Sequence, residues 1–232
     1  MDIIAQNIRN IQERAAAAAA SCGRSSEDIL ILAISKTVPA DAILRAAEAG
    51  LKQFGENRVQ EAEGKILSLG RTLGLEWHLV GHLQSNKAKR AVELFDTIHS
   101  LDSIKLASRI SQAAGEMGKT QSVLLQVDLG HEETKHGADP SRIREILEAV
   151  SEMQGIRLNG LMTIPPFYED ADRSRPFYAT LRELSDALES EQAGCLGQRH
   201  LSMGMSHDFE EAIREGATII RIGTAIFGSR QL

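Results

Sequence analysis

Three kinds of residue, at three places along the chain, have chemistry that would combine. Lys36 follows directly on the apolar run Ile29–Ser35, which has the length of a buried strand. An amine at the inner end of such a strand is poorly hydrated, and desolvation disfavours its ammonium form. A lysine tuned this way attacks an aldehyde and holds it as a Schiff base, although strand-end lysines also snorkel to solvent. Arg221 lies far along the chain, inside the apolar run Ile219–Ile222. A buried arginine is rare unless paired. It stays protonated and only donates hydrogen bonds, so its acceptor is either a carboxylate or a neutral aromatic nitrogen. Ser202, Gly204, Gly223 and Thr224 complete the set. Glycines let backbone N–H groups approach an anion, and hydroxyls add donors, which suits a phosphate. The same residues are also ordinary turn chemistry.

One ligand has a handle for each feature. Pyridoxal phosphate (PLP) carries an aldehyde for Lys36, a phosphate for the Ser/Gly/Thr cluster and a ring nitrogen for Arg221. An arginine at that nitrogen keeps it unprotonated, and the ring is then a weaker electron sink, suited to proton shuffling rather than decarboxylation.

These residues need a frame that gathers strand ends. Apolar runs end near Lys36, Gly55, His82, Leu101, Leu129, Ile164, Met203 and Gly223, with helical patterns between them. Strand–helix alternation implies a parallel α/β fold. Eight units in 232 residues suggest a compact (β/α)8 barrel, with a doubly wound open sheet as the alternative. Ile4, Ile8, Ile11 and Ala15 share one helical face, so residues 2–22 predict an extra N-terminal amphipathic helix. Pro39 and Ser206 read as helix starts and Asp139-Pro140 as a cap with its first residue. No linker or composition break divides the chain, so residues 1–232 read as one domain. In a barrel the strands' C-terminal ends carry the chemistry, which also brings Asn57, His82, Met162 and Met203 under consideration.

Composition narrows the function. A net charge of -6 gives no general attraction to nucleic acid or anionic membrane. No apolar stretch has the length of a membrane span, and Met1–Ile4 lacks the plan of a signal peptide. Cys22 and Cys195 match no metal or redox spacing. The expected compartment is the cytoplasm. Aromatic residues are only 4%, so the core must be built from Ala, Ile, Leu and Val, as suits strands covered by helices on both faces.

Several longer stretches together resemble the pyridoxal-phosphate homeostasis protein family. They are Ser35-Lys36-Thr37, Phe54-Gly55-Glu56-Asn57, Trp77 to Lys87, Gly160-Leu161-Met162-Thr163, Leu201 to Ser206 and Arg221 to Gly228. Val127 to Gly137 is similar too, with Glu132, Lys135 and Gly137 in place and Asp128 where asparagine is common. The resemblance spans nearly the whole chain. It implies a barrel like the N-terminal domain of alanine racemase, with PLP held as an internal aldimine on Lys36. It further implies a role in balancing free PLP and amino-acid pools without robust catalysis. Ser202, Gly223 and Thr224 would face the phosphate, Arg221 the ring nitrogen and Asn57 the cofactor's surroundings. His82, Met162 and Met203 are weaker candidates for the same site.

The alternative is a PLP-dependent amino-acid racemase. Racemisation needs proton donors on both faces of the cofactor. In alanine racemases the second donor is a tyrosine from a further domain, and the chain's tyrosines, Tyr168 and Tyr178, have no counterpart role. A Schiff-base aldolase acting on a sugar phosphate is a third reading, disfavoured by the early position of the lysine. The expected partners are PLP and apo-enzymes that receive it, with a monomer favoured. His78 and His82 alternate on one strand and read as barrel lining rather than metal ligands. Asp102 reads as a helix cap or the partner of a rim cation, and Lys87–Arg90 as a solvated helix face.

Overall fold

The computed structural model describes residues 2–69, 74–130 and 136–228. Eight parallel strands close into a barrel in sequence order: β1 Leu30–Ile34, β2 Gln53–Glu56, β3 Glu76–Leu79, β4 Thr97–Leu101, β5 Gln121–Gln126, β6 Ile156–Met162, β7 His200–Met205 and β8 Ile219–Ile222. The helices are α1 Ile3–Ser21, α2 Ala40–Glu48, α3 Val59–Leu69, α4 Ala88–Leu94, α5 Ile104–Glu116, α6 Ile143–Ser151, α7 Arg175–Glu191, α8 Phe209–Arg214 and α9 Thr224–Phe227. The closed sheet decides between the barrel and the open doubly wound alternative.

The first helix forms as its pattern requires. Ile4, Ile8, Ile11, Ala15, Ala18 and Ala19 are buried along one face, which packs on α8, α9 and α2. Asp2 caps its start by accepting the Ile4 N–H, and the chain turns away at Gly23 with φ +73°, a conformation that costs glycine little. Two helix starts differ from the sequence reading. Pro39 stands at the cap of α2 rather than inside it. The helix expected from Ser206 begins at Phe209, with Asp208 at its cap.

The core has two shells. Helix faces and the outward strand residues form the larger one, which includes Phe54, Leu79, Ile98, Leu125, Leu161 and Ile220. The barrel interior holds a smaller apolar cluster of Leu32, Val80, Leu124, Met162 and Ile219. Aliphatic side chains dominate both, as the shortage of aromatics dictates.

Closure sets the geometry that function depends on. β1 pairs with β8 in the register Leu32↔Arg221 and Ala33↔Ile222. The chain therefore leaves β1 toward Lys36 and β8 toward Gly223 and Thr224 on adjacent strands at the same end. The register slips by one residue between β7 and β8, where Ser202 pairs Ile219 but Met205 pairs Arg221. Three steps on β7 match two on β8, which is a bulge.

β6 and β7 approach so closely that only glycine fits at position 160. Its φ is +149°, and a Cβ there would lie 2.0 Å from the His200 carbonyl oxygen. Gly160→Ala is expected to destabilise the fold by about 2–4 kcal/mol, combining overpacking with backbone strain. Urea denaturation followed by circular dichroism measures it. A loss under about 0.5 kcal/mol would mean the two strands have room to separate.

Candidate functional site

A cavity of about 1270 Å³ opens at the C-terminal ends of the strands. Lys36, Asn57, His82, Arg221, Gly223 and Thr224 all line it. Lys36 stands two residues beyond β1 and is half-buried. Thr37 beside it has φ +63°, a left-handed conformation that a β-branched residue seldom adopts. Asn57 follows β2, and Gly81 explains how the next loop reaches it. A Cβ at Gly81 would lie 2.2 Å from the Asn57 carbonyl oxygen, so a glycine is needed for the β3 end to rest on the Asn57 backbone.

Arg221 forms part of the cavity floor and is 4% exposed. Burial pulls its pKa down, against the pull of Tyr178 and Asp208; an arginine nevertheless keeps its charge. Its guanidinium donates to the Ser202 hydroxyl (2.9 Å) and to the Thr163 carbonyl (2.9 Å). Among the described residues its hydrogen bonds thus go to a hydroxyl and a carbonyl rather than to a carboxylate.

Ser202 continues a polar chain through the barrel. Its Oγ lies 3.0 Å from His99 Nδ1, and His99 Nε2 lies 2.9 Å from His78 Nδ1. Arginine only donates, so the Ser202 hydroxyl accepts from it. At the far end of the chain, His78 Nε2 is buried without a hydrogen-bond partner among the described residues. Both imidazoles are neutral. Burial, aided by the charge of His200, lowers His78 to about 4. Burial, His78 and Arg221 hold His99 well below its usual value.

The structure corrects part of the expected anion site. Ser202 is fully buried on Arg221 and His99 and does not line the cavity. Gly204 is also away from it: its φ is +86°, and a Cβ would lie 2.5 Å from Ala212 of α8. That glycine serves helix packing. Ser206, read in sequence as a helix start, lines the cavity instead. Its Oγ accepts from the N–H groups of Gly223 (3.2 Å) and Ala225 (3.4 Å). Met203 points outward into the helix-side core, and Met205 lines the cavity in its place. Alternation from the inward Ser202 turns Met203 outward, and the β7 bulge then leaves Gly204 on the α8 side and Met205 on the cavity side. Met162 is fully buried in the inner barrel cluster rather than among the cavity-lining residues.

The far rim carries His82 and His136, whose rings stack with centroids 3.7 Å apart and planes 15° apart. His82 Nδ1 lies 3.6 Å from Asp102 Oδ2. Burial and His136 lower the His82 pKa, against Asp102. Asp102 is therefore the partner of a rim imidazole; the helix cap is Ser103, which accepts from the Leu106 N–H. His78 faces the barrel interior as expected, whereas His82 reaches the rim. His207 lines the cavity, and its Nε2 bonds the Glu169 carbonyl. Tyr178 is fully buried and donates to Asp208 (2.7 Å). Tyr168 packs on Phe177 and Arg173. Glu132 and Lys135 lie outside the described residues. No sequence signal separated Ser206 from Ser202; only the strand register does.

Comparison with known proteins places this geometry among relatives. The profile of the alanine racemase N-terminal domain family matches residues 1–231. The chain is 45% identical over 226 residues to the pyridoxal phosphate homeostasis protein of Aquifex aeolicus, covering 97% of this chain and 98% of the relative. It is 42% identical over 233 residues to the Escherichia coli K12 protein of the same name, covering 99% and 98%. Among solved structures it is similar to PipY of Synechococcus elongatus PCC7942 with PLP bound. That match has a TM-score of 0.86, 41% identity, and covers 97% of this chain and 100% of PipY.

The neutral histidine pair predicts an acid-sensitive fold. Its folded pKa lies below the unfolded one, so the unfolded chain takes up protons first as pH falls. Stability from His78 is complete above about 6.5 and is lost as pH falls toward about 4. The loss reaches about 3 kcal/mol at the acid end of that window. Urea unfolding at stepped pH measures it, and His78→Gln should flatten the slope. A wild-type profile flat from pH 7 to 4.5 would contradict the neutral assignment.

Proposed function

The chain belongs to the pyridoxal phosphate homeostasis protein family, built on the alanine racemase N-terminal domain, and on that premise we propose that it binds pyridoxal 5'-phosphate as a Schiff base on Lys36 and keeps the free cofactor and amino-acid pools in balance without robust catalysis. The observation that carries this reading is Arg221, a buried donor at the cavity floor bonded to a hydroxyl and a carbonyl. An unprotonated ring nitrogen is the acceptor such a donor suits.

The residues present fit the cofactor. When bound it supplies an aldehyde that condenses with an amine and a ring that withdraws electrons. Lys36 offers the amine on the same cavity wall as Asn57. The N–H groups of Gly223 and Ala225 converge on the Ser206 hydroxyl. We assign the phosphate to these groups and to Thr224, with Ser202 supporting Arg221 from behind. Met205 takes the cavity position proposed for Met203. His82 borders the site at the rim, and Met162 stands behind the lining. The reading takes residues 1–232 as one PLP-binding unit, monomeric and cytoplasmic, with PLP-dependent apo-enzymes as recipients.

A carrier and a racemase differ in proton donors. Racemisation needs an acid or base on each face of the cofactor. Neither tyrosine lines the cavity, since Tyr178 is committed to Asp208 and Tyr168 to its loop. That favours the carrier. His82 lines the cavity and is an imidazole that a racemase reading would turn to.

Borohydride reduction of the PLP-loaded protein, followed by peptide mass spectrometry, is expected to place one pyridoxyl adduct on Lys36 and none in Lys36→Ala. An adduct elsewhere, or none at saturating PLP, would overturn the reading. Chiral chromatography after incubation with L-alanine should detect no sustained D-alanine formation; steady turnover would favour the racemase. Ser206→Ala should weaken PLP binding by about 1–2 kcal/mol, one hydrogen bond to a charged group. Pyridoxal, which has no phosphate, should bind equally to both proteins. Equal losses for both ligands would move the phosphate away from Ser206.

A further inference from the structure

The turn that carries Lys36 is held from behind by a separate charged cluster. Lys65, on α3, is 12% exposed at its side chain. Its Nζ donates to the Ser35 carbonyl (2.6 Å), to Glu56 Oε1 (2.8 Å) and to Glu61 Oε1 (2.7 Å). These three acceptors engage all three ammonium protons. The Ser35 hydroxyl donates to the same Glu56 oxygen (2.6 Å), and the Thr37 N–H donates to Glu61 Oε1 (2.5 Å). Ser35 and Thr37 are the two neighbours of Lys36. The cluster thus grips the backbone on both sides of it.

A plain structural ion pair does not account for this arrangement. The Glu56 side chain is fully buried at the end of β2 and needs a counter-ion, which Lys65 provides. That need is met by one contact. The remaining bonds run from Lys65 to the Ser35 carbonyl and from Glu61 to the Thr37 N–H, and both end on the turn. Thr37 is also held at φ +63°, a strained conformation that persists only where surroundings over-determine it. Burial raises the Glu56 pKa, with Lys65 and Ser35 opposing. Burial also acts upward on Glu61, but the bonds from Lys65 and Thr37 outweigh it and hold the group below its usual value. Glu61 is therefore the ionised acceptor on the turn.

We infer that Lys65 and Glu61 are positioning residues: they lock the Ser35–Thr37 turn so that the Lys36 amine is presented for condensation with an aldehyde, an inference that rests on the Schiff-base reading above. The grip acts on the covalent step rather than on cofactor recognition, because Lys65, Glu56 and Glu61 are not among the cavity-lining residues.

Two ligands separate those effects. Pyridoxal 5'-phosphate condenses with an amine, whereas pyridoxine 5'-phosphate has an alcohol in place of the aldehyde and binds only non-covalently. In Glu61→Ala, which leaves the Lys65–Glu56 pair in place, PLP affinity is expected to fall about tenfold, the effect of one charged hydrogen bond. Pyridoxine 5'-phosphate affinity should stay within about twofold, and the yield of hydride-trapped pyridoxyl-Lys36 should fall with the PLP affinity. Lys65→Met should show the larger selective loss and Lys65→Arg should restore part of it; if Lys65→Met does not fold, Glu61→Ala alone decides. Equal weakening of both ligands, or no change in either, overturns the positioning role. If the wild-type protein itself yields no adduct on Lys36, the cofactor reading has failed, and this inference with it. Wild-type trapping with unaltered trapping in Glu61→Ala sinks the inference alone.

Discussion

A guanidinium in the middle of a closed barrel must be given acceptors, since leaving it unsatisfied costs more than any packing gain returns. Arg221 imposes that requirement here, and the polar half of the barrel interior answers it. Ser202 and the Thr163 carbonyl take its donors, Ser202 bonds His99, and His99 bonds His78. Burial keeps both imidazoles neutral. The polar chain ends at the cavity floor, which Arg221 lines. The apolar cluster of Leu32, Val80, Leu124 and Met162 fills the rest of the interior.

The opposite wall solves a different problem. Lys36 must stand just past β1 while its neighbours stay fixed, although a turn is the least constrained kind of backbone. The charged cluster behind it and the left-handed Thr37 supply constraint that sequence-local hydrogen bonds would not. The register Leu32↔Arg221 joins the two walls. It carries a lysine early in the chain and the Gly223–Thr224 turn near its other end to the same rim. Parallel closure is what allows residues so far apart in sequence to share one ligand-sized space.

Much of the architecture was legible beforehand. Apolar runs of strand length, spaced by helical periodicity, predicted eight strand–helix units, and Ile4, Ile8, Ile11 and Ala15 predicted the extra helix. Lys36, Arg221, Gly223 and Thr224, singled out by residue type and place, and Asn57 and His82, added by the family resemblance, all line the cavity. β7 was the least legible element. Ser202 and Gly204 were read as an anion site, Met203 as a weaker candidate and Ser206 as a helix start, and it is the bulge against β8 that brings Met205 to the cavity. A one-residue slip is invisible in a string of letters because it depends on which partner the strand meets. Of the two readings of Asp102, helix cap or partner of a rim cation, the structure gives the cap to Ser103 and sets Asp102 beside His82.

What the sequence determined by itself is the set of reactive groups and the repeating pattern that brings their strands together, because hydrophobic periodicity is local and survives any choice of partner. Tertiary structure decided which of those groups face the cavity. Register between β7 and β8, the resting of Gly81 on Asn57 and the reach of Lys65 to Ser35 all depend on contacts between distant segments. Such contacts exist only once the barrel has closed. They place Ser206 at the cavity and Ser202 behind it.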